Sequence, residues 1–498
     1  MSKIRLFTAT SFFLIGCVVA TAQENRVPAR QLSLPDAIGM ARQQSPAVRT
    51  ALNRYLNRYW QYRFYQSNYL PQLSLRGTLP NFDRSIIPVR QQDGSQEFRE
   101  VSQSIVNADL FLSQNIGLTG GQIYAGSGLR RIDNFQPRST LEYNARPLYI
   151  GIAQPLFGFN QLRWDRKIQP LLYEEAQRSY QESVERLSLD VTQLYFDALL
   201  AQIQLGIAEK NVANNDTLYK VAEGRFNLGR IAENELLQLE LALMNARQNL
   251  AQSELQLESG LLTLRVQLGL TDNAPVALVV PDQIPQFSVS QDSALAQARR
   301  NRSQMVSFER QVLEAQAQVA QARGETGLTA DLQANFGFTQ QAGTIPGLYT
   351  RPQDQQSVSL GFQIPLVDWG RTRSRTRTVR ANLELVEANV QQDRVTFEQQ
   401  VYLQVKQFDV LRRQMEVARK ADEVGEKRYE ISKNRYQIGK IGITDLTIAQ
   451  QEKDQAKLDY AQALRDFWRA YYNLRVLTLY DFESNQPLFN EDALKALK

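Results

Sequence analysis

The sequence predicts a mainly α-helical chain with a membrane β part, built from one large helix and strand unit that occurs twice. Three observations predict it: segments that return at a constant spacing, short stretches of period-two hydrophobicity, and long proline-free stretches of helical periodicity. Leu148-Tyr149-Ile150-Gly151-Ile152-Ala153-Gln154-Pro155-Leu156 returns 210 residues later as Val358-Ser359-Leu360-Gly361-Phe362-Gln363-Ile364-Pro365-Leu366. Arg225-Phe226-Asn227-Leu228-Gly229-Arg230-Ile231 returns at the same offset as Arg435-Tyr436-Gln437-Ile438-Gly439-Lys440-Ile441, and Leu264-Arg265-Val266 as Leu474-Arg475-Val476. So long a period means two copies of one unit, not a solenoid of short repeats. At their starts the copies match at an offset of 257, where Ala37, Ala41 and Arg42 answer Ala294, Ala298 and Arg299, so the first copy carries about 47 extra residues before Pro155. The expected units are residues 23–285 and 286–482, with a tail over 483–498.

Taken in order, residues 1–22 place Lys3 and Arg5 before an apolar run from Leu6 to Ala20, then Ala20-Thr21-Ala22 ahead of Gln23. That is the pattern of a secretory signal. Leu14-Ile15-Gly16-Cys17 also fits a lipoprotein box that would make Cys17 the lipidated first residue, with ordinary cleavage after Ala22 as the alternative. The formal charge of +5 falls to +3 without Lys3 and Arg5, too weak a balance to point to nucleic acid. Cys17 is the single cysteine and histidine is absent, which removes the commonest metal ligand and general base. With no glycine-rich phosphate loop either, an enzyme is not expected and neither is a cofactor. No run of 18 apolar residues follows the signal, so a membrane segment has to be a closed β-barrel, the other fold that pairs every backbone group in lipid.

In the first copy a helix over Pro46 to Tyr69 leads to a strand in which Leu73, Leu75 and Leu79 alternate with polar residues. Asn81 to Glu100 reads as a polar loop. Ile105 to Ile116 and Gln122 to Arg131 form an extra hairpin, turning at Leu118-Thr119-Gly120-Gly121, that either joins a barrel or lies outside it. Leu148, Ile150 and Ile152 mark the returning strand; a long helix then reaches Phe226, with Pro170 in its first turn or at a kink, and a second covers Ile231 to Leu270. In the second copy the helix Ser303 to Gly324 precedes a period-two strand, Leu328 to Thr339, which puts Leu332, Phe336 and Phe338 on one face. Leu360, Phe362, Ile364 and Leu366 continue that pattern, and all these apolar positions are expected to face lipid; a soluble sandwich edge is the alternative. Arg371 to Tyr436 has no proline and steps its apolar residues by three and four, as at Val379, Leu383, Val386 and Val390, giving one helix of about 100 Å. A helix over Ile441 to Tyr480 closes the copy.

In each copy the two shorter helices together nearly equal the long one, so they can stack end to end along it. Four strands, or six with the extra hairpin, fall short of the roughly eight that the smallest membrane barrels use, so several chains must share one barrel. Trp164 and Trp369 follow the returning strands, at the level where tryptophan meets lipid headgroups, with core packing as the alternative. Arg371, Arg373, Arg375, Arg377 and Arg380 form a solvated collar just beyond.

The repeated Arg-(Phe/Tyr)-(Asn/Gln)-(Leu/Ile)-Gly turn followed by an acid, with Asp36-Ala37-Ile38 and Ser45-Pro46-Ala47-Val48-Arg49 at the start, resembles the TolC-like outer-membrane efflux family over essentially the whole mature chain. The resemblance implies a homotrimer whose shared β-barrel continues into a periplasmic α-helical barrel, seated in the outer membrane of a Gram-negative bacterium. It implies docking of a periplasmic adaptor, and through it an inner-membrane pump of the resistance-nodulation-division or ABC type, at the turns Leu228, Gly229, Arg230 and Ile438, Gly439, Lys440. It also implies a pore gate in which Asp445 and its first-copy equivalent Glu235 ring the mouth and Tyr436 links to Glu235. Ile448 and Ile441 stand where some relatives carry a second acid and a basic residue. Helix-end capping is the plain alternative for Asp445 and for both glycines. The expected function is the exit duct of a tripartite efflux system for small molecules or drugs. Type I protein secretion and a structural periplasmic coiled coil are the competing readings.

Overall fold

The computed structural model describes residues 30–136, 138–270, 275–281, 284–285 and 287–488. The signal residues 1–22 with Cys17, and the tail beyond residue 488, lie outside them. Along the chain run β1 (Arg30–Leu32), α1 (Leu34–Gln44), α2 (Pro46–Ser67), β2 (Gln72–Arg90), β3 (Gln96–Asn115), β4 (Gln122–Gln136), β5 (Thr140–Leu156), α3 (Gln161–Asn227) and α4 (Glu233–Leu268). There follow β6 (Val276–Leu278), α5 (Gln291–Asn301), α6 (Ser303–Thr326), β7 (Thr329–Ala342), β8 (Gln353–Gln363), α7 (Arg371–Gln437), α8 (Ile443–Thr478), β9 (Tyr480–Asp481) and β10 (Gln486–Pro487).

The two long helices each contain 67 residues, about 100 Å at 1.5 Å per residue. Their neighbours fit the end-to-end arrangement: α2 and α4, of 22 and 36 residues, pack along α3, while α6 and α8, of 24 and 36, pack along α7. Starts and stops follow local chemistry. Ser33, Ser45 and Ser290 cap α1, α2 and α5, each hydroxyl accepting a backbone N–H, and Asn160 accepts from Arg163 to start α3. This cap begins α3 nine residues ahead of Pro170, so the proline stands inside the helix and not in its first turn; it lies on an exposed surface.

The core sits around the middle of the long helices. Val191, Tyr195 and Phe196 of α3, Val401 and Phe408 of α7, and Leu464 and Phe467 of α8 are at most 1% exposed. Against them lie α1 and α5, whose matching alanines, Ala37 and Ala41, Ala294 and Ala298, are fully buried. A small parallel sheet of β1 and β6 joins this belt. The Tyr195 hydroxyl donates to the Leu32 carbonyl at 2.8 Å and accepts from the Val279 N–H at 3.0 Å, stitching both strands to α3.

At one end β2, β3, β4, β5, β7 and β8 form a single antiparallel sheet in that order, with β2 and β8 as its edges. The extra hairpin is therefore hydrogen-bonded into the sheet. Asn81 to Glu100 is not a loop: Asn81–Arg90 pairs with Gln96–Ile105, leaving only residues 91–95 to turn. Polarity misled there, because strands that project beyond an apolar layer need no alternation. The last strand is also shorter than the alternation implied. β8 stops at Gln363, Pro365 having no N–H to pair, and Ile364 and Leu366 are 50% and 89% exposed outside it. No helix of the described residues is long and apolar enough to cross a membrane.

Candidate functional site

At the end remote from the sheet, both helical hairpins turn in the same way. The Gly229 N–H bonds the Phe226 carbonyl at 2.8 Å and the Arg230 N–H bonds the Arg225 carbonyl at 2.9 Å; Gly439 and Lys440 bond Tyr436 and Arg435, both at 2.9 Å. This double bond is the Schellman closure of a helix end, and it needs a left-handed residue, met by Gly229 at φ +66° and Gly439 at +76°. A Cβ on either glycine would meet no atom within 4 Å, so backbone conformation, not crowding, requires them. Leu228 and Ile438 stand 71% and 65% exposed beside them, and Arg230 and Lys440 are exposed as well. Two apolar side chains thus crown a basic tip.

Asp445 and Glu235 lie in the first turns of α8 and α4, where the helix dipole favours a carboxylate. Both are exposed, and neither forms an ion pair among the described residues. Asp445 lines a groove of about 580 Å³ between α7 and α8 with Lys427, Arg428, Arg435 and Ile448. Within one chain the expected link from Tyr436 to Glu235 is not formed. Instead the Arg225 guanidinium of the first turn lies 5.7 Å from the Tyr436 ring, a cation–π contact that joins the two turns. Sequence reasoning missed Arg225, although its place in the repeated motif offered it.

In the sheet, pairing sets Leu332 opposite Leu360, Ala330 opposite Phe362 and Ile150 opposite Phe336, with Phe338 on the same face. The apolar face continues through Ala125, Leu112 and Leu73. The other face is polar and contains an arrangement that the sequence did not announce. Asp109, Gly128 and Arg146 lie in one rung across β3, β4 and β5, and Arg146 reaches over the glycine to Asp109 at 2.9 Å. Tyr124, Gly151 and Asn335 form a second rung across β4, β5 and β7, in which the Tyr124 hydroxyl donates to Asn335. A Cβ on Gly128 would come within 2.1 Å of Asp109 Oδ1, and one on Gly151 within 2.6 Å of the Tyr124 ring. Glycine inside a strand was the available signal, since it marks close approach of another group.

Beyond the sheet Trp369, at φ +53°, is 97% exposed and not packed in a core. Trp164 is half-buried in the first turn of α3, with Lys167 Nζ 4.9 Å from its ring. The arginine collar is exposed throughout, and Arg375 pairs with Glu325 at 2.5 Å.

A second polar cluster ties the repeats together at the belt. Glu185, whose side chain is 1% exposed, accepts from Arg42 at 2.7 Å and Arg475 at 3.1 Å, and Arg475 also bonds Asp481 at 2.7 Å. Burial pushes the Asp481 carboxyl up, but the charge of Arg475 and the N–H groups of Glu483 and Ser484 outweigh it, holding the carboxyl below its usual range.

An edge-open sheet with one apolar face, joined to helical hairpins of about 100 Å, defines a channel-forming protein of the outer membrane that extends into the periplasm. The chain belongs to the outer membrane efflux protein family, whose pattern it matches over residues 123–270 and 294–478. It is 23% identical over 410 residues to a probable outer membrane lipoprotein, SilC, of Salmonella typhimurium, covering 80% of each chain. With the cation efflux system protein CusC of Escherichia coli it shares 25% over 231 residues, 46% of this chain and 48% of that one. In fold it resembles the CmeC outer membrane channel of Campylobacter jejuni, with a TM-score of 0.67 at 16% identity over 93% of this chain and 89% of that one. The Vibrio cholerae outer membrane protein VceC gives 0.62 at 14% identity, over 90% and 95%.

Proposed function

We propose that the protein is the passive exit duct of a tripartite efflux system, and that three copies close one barrel and one helical tunnel. An edge-open sheet at one end of two roughly 100 Å helical hairpins carries this reading, because the edges need neighbours in lipid and the hairpins reach across a periplasm. Energy has to come from elsewhere, so an inner-membrane pump works through a periplasmic adaptor seated on the exposed tips Leu228, Gly229, Arg230 and Ile438, Gly439, Lys440. Asp445, Glu235 and Tyr436 sit where the tunnel mouth narrows, with Arg225 holding Tyr436. The cargo is small molecules or drugs; the cation named in CusC's description makes metal ions a further candidate class. Protein cargo by type I secretion is the competing reading, and linkage of the gene to an ABC exporter would favour it.

The test is a deletion strain challenged with toxic dyes, detergents and metal salts. Wild-type protein should restore tolerance, and Leu228→Asp with Ile438→Asp should fail to do so at equal outer-membrane levels. Full restoration by the tip variant would remove the adaptor from this end.

A further inference from the structure

We infer that the extra hairpin of the first repeat is built into the barrel wall, so that each copy contributes six strands and three copies close a barrel of eighteen. This rests on the shared-barrel reading above and sets the width of its exit. The repeats differ in what they add: four strands, β2 to β5, precede α3, and two, β7 and β8, precede α7. Without the insertion, each repeat would supply two strands and a trimer twelve.

Three observations place the added strands in the wall. Both strands of the hairpin, β3 and β4, hydrogen-bond on each side, and their ladders are interrupted only by bulges at Thr78/Asn81, Ser102/Gln103 and Gly126/Gly128. The apolar face is continuous from Leu73 and Leu112 to Phe336 and Leu360, so the added strands carry the same lipid pattern as the others. A hairpin lying in the lumen or in solvent has no use for such a face. The polar face, moreover, is cross-tied: the Asp109–Arg146 pair spans β4 over Gly128, and the Tyr124–Asn335 bond spans β5 over Gly151. The second tie joins an inserted strand to the second repeat.

The partner for the remaining edges is a second copy of this chain, β8 of one meeting β2 of the next. Barrel diameter grows roughly linearly with strand number, so eighteen strands make the exit about 1.5 times as wide as twelve. The outer end is then wide enough to hold an aqueous channel of the kind that 16 to 18 strands enclose.

Electron cryo-microscopy of the wild-type protein from outer membranes should count eighteen strands. Twelve strands with the hairpin outside would overturn the inference and leave the exit-duct reading intact; an unclosed sheet or an isolated monomer would overturn both. A biochemical test uses the polar-face residue Ser357 of β8. Ser357→Cys combined in turn with Ser74→Cys, Arg76→Cys and Thr78→Cys of β2 should give disulfide-linked dimers and trimers on gels without reductant. The β2–β8 linkage marks the seam between copies, and β2–β5 linkage decides the hairpin: ready linkage of Ser74→Cys or Arg76→Cys to Tyr149→Cys or Ala153→Cys of β5 within one chain would show β2 pairing directly with β5 and the hairpin excluded.

Discussion

Gly229 and Gly439 carry the sharpest single-residue requirement, because a left-handed turn there costs an L residue about 1 to 2 kcal/mol while nothing crowds the site. Gly439→Ala should therefore loosen the tip and speed proteolysis between α7 and α8, leaving the sheet untouched; protease cutting at the wild-type rate would mean that the turn tolerates the change. At the mouth, Tyr436→Phe keeps the ring beneath Arg225 whereas Arg225→Ala removes the contact, which is worth about 0.5 to 1 kcal/mol at an exposed site. Single-channel conductance should rise in Arg225→Ala more than in Tyr436→Phe. The reverse order would restore the hydroxyl link to Glu235, formed between copies. Asp445→Asn should lower cation preference without comparable opening.

At the scale of elements, period-two alternation and the long proline-free stretch were legible because each is a local consequence of burying one face. The rungs over Gly128 and Gly151 were not, since they depend on which strands become neighbours, and pairing is non-local. The same applies to Glu185: its arginines come from α1 and from α8, 143 residues before it and 290 after it. For the sheet, Phe336→Lys should cost about 2 to 4 kcal/mol at mid-membrane depth and impair assembly, while Gln333→Lys on the polar face is tolerated. Equal loss at both positions, measured as heat-resistant oligomer on gels, would undo the assignment of faces. At the belt, Arg475→Ala leaves Glu185 one partner short and frees Asp481, with an expected loss of about 3 to 5 kcal/mol. Because the folded Asp481 carboxyl is held below its unfolded value of about 3.9, its contribution is complete above that pH and fades as pH falls through the lower folded value. Acid that carries the pH down through that lower folded value should therefore weaken the hold on β9 and β10 in the wild type, whereas Asp481→Asn should lose that part of the pH dependence; an unchanged acid profile in the variant would remove Asp481 from the lock.

For the whole molecule, duplication was the most legible feature and closure the least. Two long helices, each flanked by a stacked pair, followed from repeat spacing and proline placement, but their equal length required seeing Pro170 inside α3, and the strand number per copy required seeing the hairpin paired into the sheet. Detergent-solubilised protein should behave as a trimer by light scattering. A monodisperse monomer that still inserts into bilayers would defeat the shared barrel.

The two unpaired sheet edges also bear on genetics. A barrel closed by several copies has no spare seam, so one copy with a faulty β2 or β8 edge spoils the ring that admits it. Expressed at equal levels with the wild type and mixing at random, such a variant leaves only about one ring in eight wholly wild type if three copies close it. Loss of export should then be dominant. A null allele, which supplies no poisoned partner, should instead be recessive.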